Sequence, residues 1–510
     1  MRDLLTEIVG AEGVLPPEAA ARWAVHGIVP RAVVAPASAE EAAAVLARAS
    51  AEGWVVEPAG AGGWLGAGRR PERVDLVVTT ARMAGAVEHE PADLVATAAA
   101  GVRLGALAAR LASHRQWLPL DPPAHAEATL GAVASLAAAG PLREGHGTPR
   151  DHVLGVRLVT GDGRVLDLGG KVVKNVAGYD LVRLVVGSRG TLGLITRLHL
   201  RLRPLPERDA TLAVPAPSFE PLVELAGRIC EERIQAAALE IVAGAGRWGA
   251  GEVGAARAGA GRTADEPGAA RRAGGGGGDD APPWTLLVRL QGNAEAVADA
   301  EARVRRLADA VGRPPAGGLA AAHGRAGPAG PATTPGSAGA WEGLAALEAG
   351  AELCVRLADA PARLDRTLRL ALGLPGVAGG VPSGRAPGAP ARVAAGAVAS
   401  AATDIAADTA AGAMDGVALM AHAGAGIVRV AVRAPEPGSA FDADRWARAL
   451  EDARAALAGT GGSLIVARAP AALLRRFEPF ADPGPALRLM RELKAKFDPA
   501  GVLAPGRFVV

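Results

Sequence analysis

The chain has 510 residues, half of them apolar, and 55 Lys and Arg stand against 53 Asp and Glu for a formal net charge of +2. That length leaves room for two or three buried cores, and so small a net charge gives no electrostatic case for nucleic acid as the main partner. The two cysteines, Cys230 and Cys354, are too few for the thiolates of an iron–sulfur cluster and form no Cys-x-x-Cys pair.

Met1 to Gly10 carries Asp3 and Glu7 and no apolar core of signal-peptide length, and no later stretch offers ~18 uninterrupted apolar residues. The expectation is a cytoplasmic protein that meets a membrane only through partners. Residues 1–27 read as an N-terminal helical segment. Ala32 to Pro36 is a short apolar run, and Ser38-Ala-Glu-Glu41 has the form of a capping box opening a helix that runs to about Gly53. Trp54 to Glu57 predicts a strand that leads straight into the glycine-rich turn from Pro58 to Gly66. Asp75 to Thr80 and Leu94 to Ala99 predict further strands, and Leu104, Leu107, Ala108 and Leu111 share one face of a helix. From Leu194 to Leu202 apolar residues alternate with Arg197, His199 and Arg201, the pattern of a strand with one buried face.

Beyond Pro206 the pattern changes to strand and helix pairs, with Ala210 to Val214 before Leu222 to Glu232, and Thr285 to Leu290 before Ala294 to Ala310. A second α+β domain is expected over 207–510. Three stretches dominated by Gly, Ala and Pro, roughly 244–283, 312–340 and 375–416, interrupt it and cannot bury enough large apolar surface to order themselves. They read as disordered insertions, with Trp341 to Leu374 ordered between the last two. No repeat of fixed period is evident.

Gly60, Gly62, Gly63 and Gly66 remove the Cβ atoms that would hold a phosphate away, so successive backbone N–H groups can form an anion-binding nest for a diphosphate. On this stretch alone a tight surface turn is an equal alternative. Gly244-Ala-Gly-Arg-Trp-Gly249 also matches Gly-x-Gly-x-x-Gly, but residues 250–283 show no amphipathic helix to present to a pyrophosphate, which argues against a nicotinamide site.

Further motifs follow in order: Asp121-Pro-Pro123, Ala128-Thr-Leu-Gly-Ala132, Pro149-Arg-Asp-His-Val-Leu-Gly155, Lys174-Asn-Val-Ala-Gly-Tyr-Asp-Leu181 and Gly187-Ser-Arg-Gly-Thr-Leu-Gly-Leu-Ile-Thr196. With the glycine turn, the series resembles the FAD-binding half of the p-cresol methylhydroxylase (PCMH) and vanillyl-alcohol oxidase superfamily over about residues 28–206. The Lys174 signature and the ending from Phe497 to Arg507 most resemble the FAD-binding E subunit of glycolate oxidase. The resemblance implies an α+β chain, a PCMH-type two-subdomain FAD-binding fold over 28–206, then an α+β, ferredoxin-like, FAD-linked oxidase C-terminal domain carrying the insertions.

The resemblance also implies a flavoprotein oxidoreductase with FAD as cofactor. Its function would be that of the FAD-binding subunit of a glycolate (2-hydroxy acid) oxidase or dehydrogenase complex, with a second FAD subunit and an iron–sulfur subunit as partners in electron transfer. A self-sufficient oxidase and a non-catalytic assembly subunit stay open. By the same resemblance Gly60, Ala61, Gly62, Gly63, Trp64 and Leu65 would contact the diphosphate. Thr129, Leu130, Gly131, Ala132, Arg150 and Asp151 would line the channel for the flavin and ribityl chain, and Gly190, Gly193 and Ile195 would lie near the adenine end. Lys174 reads either as a cation beside a reduced flavin or as a solvated surface lysine.

The substrate-oxidising relatives carry a His-x-Gly-Asp-Gly-Asn-x-His type motif, and the related stretch is His422-Ala-Gly-Ala-Gly-Ile-Val-Arg429. Ala425, Ile427 and Arg429 stand where an acid, an amide and a second His are expected, so neither a metal site nor a complete proton-abstraction site is supported. His422 is the one candidate catalytic residue, and Arg429 is a candidate for holding a carboxylate. Ala504 replaces the Asn usual in the C-terminal ending.

Because loop-closure cost changes by only ~0.6 kcal/mol per doubling of length, replacing 244–283 by a short Gly/Ser link is expected to leave flavin content and the unfolding midpoint unchanged. Loss of flavin in the shortened protein, measured by absorbance, would show that this segment packs against the fold.

Overall fold

The computed structural model describes residues 1–85, 87–171, 179–243, 284–312, 337–377, 417–433 and 441–509. The three expected insertions lie outside the described residues except at their edges, where the helix Ser337–Ala349 begins and Val377 is buried. Lys174 and the glycine motif at 244–249 also lie outside them.

Strands β1 (Ala32–Val34), β2 (Val56–Ala59) and β3 (Leu76–Thr79) form a small parallel sheet in the order β1-β3-β2. Between β1 and β2 the helix Ala39–Glu52 buries Ala42, Val45, Leu46 and Ala49 against it. Ser38 Oγ accepts from the Glu41 amide at 3.1 Å, while Glu41 accepts from the Ala37 amide at 2.7 Å, one residue earlier than in a standard capping box. Gly53 then closes the helix with φ of 65°, the left-handed conformation that glycine adopts without penalty.

Strands β4 (Val87–Glu90), β5 (Val95–Ala99), β7 (Val153–Val159), β8 (Val165–Gly169) and β9 (Leu194–Arg201) make an antiparallel sheet in the order β4-β5-β9-β7-β8. Along β9, Leu198 and Leu200 are buried while Arg197, His199 and Arg201 are half-buried, as the period-two pattern requires. The short β6 (Gln116–Trp117) pairs with β10 (Arg203–Pro204) at the sheet's margin.

The second half is built on seven antiparallel strands, β11 (Arg208–Ala216), β12 (Ala236–Ala243), β13 (Trp284–Gly292), β14 (Leu353–Ala358), β15 (Val417–His422), β16 (Ile427–Val432) and β17 (Ser463–Arg468), in the order β11-β13-β12-β15-β16-β14-β17. From β14 to β17, with the helices Leu364–Leu372 and Ala443–Ala458, the elements run β-α-β-β-α-β in the ferredoxin-like order β15-β16-β14-β17. The elements from β11 to the helix Ala294–Ala310 repeat the first five of that series in the order β11-β13-β12, and β12 joins β15. This repeat of architecture has no counterpart as a sequence period.

One face of the sheet, with Leu239, Ile241, Leu353, Val355, Val428 and Val430, packs under the helices. Alternation sends Glu240, Arg356, His422 and Arg429 to the opposite face. Among the described residues no helix is long and apolar enough to cross a membrane.

The end of the chain returns to the first sheet. Val56 donates to the Val502 carbonyl at 2.8 Å and accepts from the Ala504 amide at 2.7 Å, so residues 502–504 run beside β2. Ala504 has φ of 43°, a conformation that asparagine tolerates better than alanine. Arg507, only 4% exposed, donates from Nε to Glu57 at 3.2 Å and from Nη2 to the Leu65 and Ala67 carbonyls at 2.7 and 2.6 Å, and Nη1 donates to the Arg69 carbonyl. Removing one member of a buried pair leaves the other uncompensated. Arg507→Met is therefore expected to cost about 3–5 kcal/mol in urea unfolding, and adding Glu57→Gln should recover part of the loss. Equal stability of Arg507→Met and the native chain would show that the pair carries no structural load.

Candidate functional site

A cleft of about 1270 Å³ lies between the turn that follows β2, the helix Leu130–Leu136 and the start of β9. The structure brings to its wall Gly60, Ala61, Gly62, Gly63, Trp64 and Leu65, together with Thr129, Gly131, Ala132, Gly190, Gly193 and Ile195. These residues come from three separate stretches of the chain.

Three expected residues stand elsewhere. Leu130 is 2% exposed and points into the core under the five-stranded sheet. Arg150 donates to the Val186 carbonyl, tying its turn to the end of the helix Leu181–Val185, and Asp151 accepts from the Thr148 amide at 2.7 Å in a capping box, so neither lines the cleft.

Whether the cleft suits FAD can be judged from its polar atoms. Among the described residues no acceptor meets the amides of Ala61, Gly62, Gly63 or Trp64. The hydroxyls of Thr80 and Thr129 are buried at the same wall without a partner. The two buried hydroxyls left unpaired are costly, and a diphosphate could accept from them and from the open amides of the turn. A Cβ on Gly60 would lie 2.0 Å from Thr129 Oγ1, and Gly62 has φ of 88°, so neither position admits a side chain. Gly131 and Gly193 answer a different need, since a Cβ there would strike Ala100 and Leu158 behind the wall. The residues present fit the cofactor.

A second cavity, about 930 Å³, shares Trp64, Ala67, Arg189 and Arg468 with the first. Arg143, Arg189, Arg356, Arg429 and Arg468 line it, with Glu348 as its one carboxylate. Arg429 pairs with Glu348 and donates to the Ala139 carbonyl at 2.8 Å. Arg468 donates to the Ala349 and Ala351 carbonyls at 3.0 and 3.1 Å. Arg189 has φ of 57° and lies over the rings of Phe480 and Phe508 at 5.0 and 5.6 Å. Burial, then Arg143 and Arg429, bring Arg356 down to about 10, and burial, then Arg507 and Arg356, do the same to Arg189.

His422 lines neither of these cavities. It faces a third, of about 280 Å³, which shares Pro123, Glu348 and Arg429 with the second. Opposite it in register, Glu240 bonds His422 Nδ1, and both are almost fully buried. His422 Nε2 has no partner. Burial, then the charges of Arg429, Arg143 and Arg356, hold the imidazole well below its usual range, and burial raises the Glu240 carboxyl well above its own.

The sequence reading missed Glu240, Arg143, Arg189 and Arg356. For Arg356 a signal was present, because in Leu353-Cys-Val-Arg-Leu357 alternation places the arginine opposite the apolar face.

Residues 30–169 match the family model described as the FAD binding domain, and residues 393–508 match the one described as the C-terminal domain of FAD linked oxidases. Glycolate oxidase subunit GlcE of Escherichia coli (strain K12) is 46% identical over 129 residues, which is 25% of this chain and 37% of that protein. The D-lactate dehydrogenase of Archaeoglobus fulgidus is 36% identical over 198 residues, 38% of this chain and 44% of that one. Glycolate oxidase subunit GlcD of Bacillus subtilis (strain 168) is 32% identical over 214 residues, 42% and 46% of the two chains. The matches thus span less than half the length of each of these relatives. Among solved structures, p-cresol methylhydroxylase with substrate bound has a TM-score of 0.68 at 15% identity, covering 99% of this chain and 95% of its own. Alkyldihydroxyacetonephosphate synthase has a TM-score of 0.60, also at 15% identity, covering 94% and 77%. At that identity the likeness is one of fold.

Gly60→Ala is expected to lower flavin content at least tenfold, while Gly85→Ala, whose added Cβ meets nothing within 4 Å, should leave it unchanged. Absorbance of the purified variants checks this. Full flavin in Gly60→Ala would move the cofactor away from this turn.

Proposed function

From a chain that joins a PCMH-type FAD-binding domain to the C-terminal domain of FAD-linked oxidases, and is therefore an FAD-dependent oxidoreductase, we propose the FAD-binding subunit of a 2-hydroxy-acid dehydrogenase complex of the glycolate oxidase kind. The observation that carries the reading is the arginine-lined cavity opening directly off the cleft that fits FAD. An anionic substrate would there lie beside the cofactor.

In this reading the turn at 60–65, with Thr80 and Thr129, holds the diphosphate. The residues from Gly131 to Ala132 and from Gly190 to Ile195 enclose the rest of the cofactor. When bound, FAD supplies a two-electron acceptor. Arg143, Arg356 and Arg429 bind and orient the carboxylate. In the tautomer whose Nδ1–H donates to Glu240, His422 Nε2 has a free lone pair, and it would take the hydroxyl proton of a substrate that reaches past Glu348 and Arg429 into the third cavity. Glu240 then acts as a positioning residue that fixes the ring.

Electrons leaving the reduced cofactor need a carrier. Cys230 is exposed and Cys354 buried, and two cysteines cannot hold a cluster. This supports a partner subunit with an iron–sulfur centre, beside a second flavoprotein.

Under anaerobic conditions the lone FAD-loaded chain is expected to have its flavin bleached by a 2-hydroxy acid, while turnover with a quinone should require the partner subunits. His422→Ala should slow bleaching by about 10²–10⁴-fold with FAD content unchanged. No bleaching by glycolate, lactate or longer 2-hydroxy acids would assign the chain an assembly role instead.

A further inference from the structure

Five residues line both the cofactor cleft and the second cavity: Trp64, Ala67, Leu136, Arg189 and Arg468. Transfer of electrons from a substrate in that cavity requires the reacting carbon and the isoalloxazine ring to touch, so in the proposed reading these are the side chains that meet the ring. Two of them are cations. Arg468 is occupied, since it donates to the Ala349 and Ala351 carbonyls at 3.0 and 3.1 Å and to the Gly63 carbonyl at 3.4 Å. The half-buried Arg189 side chain makes no hydrogen bond or ion pair among the described residues.

Acids act on the other arginines of the second cavity. Arg429 pairs with Glu348, Glu348 also acts on Arg356, and Glu240, Glu144 and Asp121 act on Arg143. The charges that act on Arg189 are those of Arg507 and Arg356, both of its own sign. At about 10, Arg189 still keeps its proton near neutrality.

The fold holds this unanswered cation in place. Arg189 has φ of 57°, uncommon for a residue other than glycine. Its amide donates to the Ser135 carbonyl at 2.8 Å, in the helix Leu130–Leu136. The next residue, Gly190, packs so closely on the end of β2 that a Cβ there would lie 3.1 Å from Pro58 Cγ. Beyond the backbone, the guanidinium lies over Phe480 and Phe508, whose rings meet edge to face at 5.0 Å. Ring faces attract and orient a cation without cancelling its charge. A positive charge is thus set at the junction of the two cavities with no negative charge of the protein to meet it.

In the proposed oxidation the substrate loses its hydroxyl proton to His422 and a hydride, two electrons and one proton, to bound FAD. One unit of added negative charge then rests on the cofactor. We propose that Arg189 meets that charge, favouring the reduced, anionic cofactor over the oxidised one and so raising the reduction potential of bound FAD. An opposite charge close by favours the charged form of a group. The inference rests on the reading of the chain as an oxidoreductase whose substrate occupies the second cavity. Arg189 itself takes up and gives up no proton.

The test measures the midpoint potential of bound FAD, by equilibration with reference dyes, in the native chain, in Arg189→Met and in Arg189→Lys. Arg189→Met is expected to lower the potential by at least ~30 mV, a tenfold weaker preference for the reduced cofactor in a two-electron couple. Its affinity for oxidised FAD should change less than threefold. Arg189→Lys keeps the charge and should recover most of the shift. If Arg189→Met retains no FAD, Arg189→Gln is measured in its place, with the same expectation. An unchanged potential in the neutral variant, an equal fall in Arg189→Lys, or loss of oxidised FAD from both neutral variants would overturn the proposal. Anaerobic bleaching of the native chain by glycolate and lactate separates this inference from the reading beneath it. Bleaching with no change of potential in Arg189→Met refutes the role of Arg189 alone. A lowered potential in Arg189→Met without bleaching by either acid refutes the 2-hydroxy-acid reading and leaves the role of Arg189 standing.

Discussion

The fold turns on a single buried guanidinium. Arg507, three residues from the end of the chain, crosses to Glu57 at the end of β2 and caps the carbonyls of Leu65, Ala67 and Arg69. Those carbonyls belong to the turn whose amides face the cofactor cleft. A glycine-rich turn loses much conformational entropy on ordering, and here that ordering comes from the opposite end of the sequence. The docked C-terminal segment thus helps to order this wall of the cleft and ties the two ends of the chain together.

The second constraint is the pleat of the seven-stranded sheet. Helices cover one face with aliphatic residues, so alternation sends the intervening side chains of β12, β14, β15 and β16 to the other. There they include Glu240, Arg356, His422 and Arg429, gathered from strands up to 189 residues apart in sequence (240 to 429). Desolvation decides their states. Burial pushes the Glu240 carboxyl up and the His422 imidazole down, disfavouring the charged form of each. The arginines have no such escape and stay cationic, which is why the face reads as an anion site.

Local signals were legible in the sequence because their physics is local. The cap at Ser38, the alternation along β9 and the glycines at 60–63 each follow from a few neighbouring residues, and most of the motif residues came to line one cleft. Leu130, Arg150 and Asp151 sit inside those motifs, yet they face the core or cap a turn, because a motif marks a segment and not the direction of each side chain. Glu240 was invisible as a site residue, and alternation alone set Arg356 opposite the apolar face without showing that strand register places it across from Arg429. The doubled β-α-β-β-α architecture was hidden for a similar reason: its copies share topology without sharing a residue period.

The binding of FAD by the chain is tested most directly by equilibrium dialysis of flavin-stripped protein against FAD, with release by acid to show how the cofactor is held. Saturation at one FAD per chain, all of it released unmodified, is the predicted result. A chain that takes up no FAD at any concentration, with its melting temperature unchanged by the ligand, would contradict it.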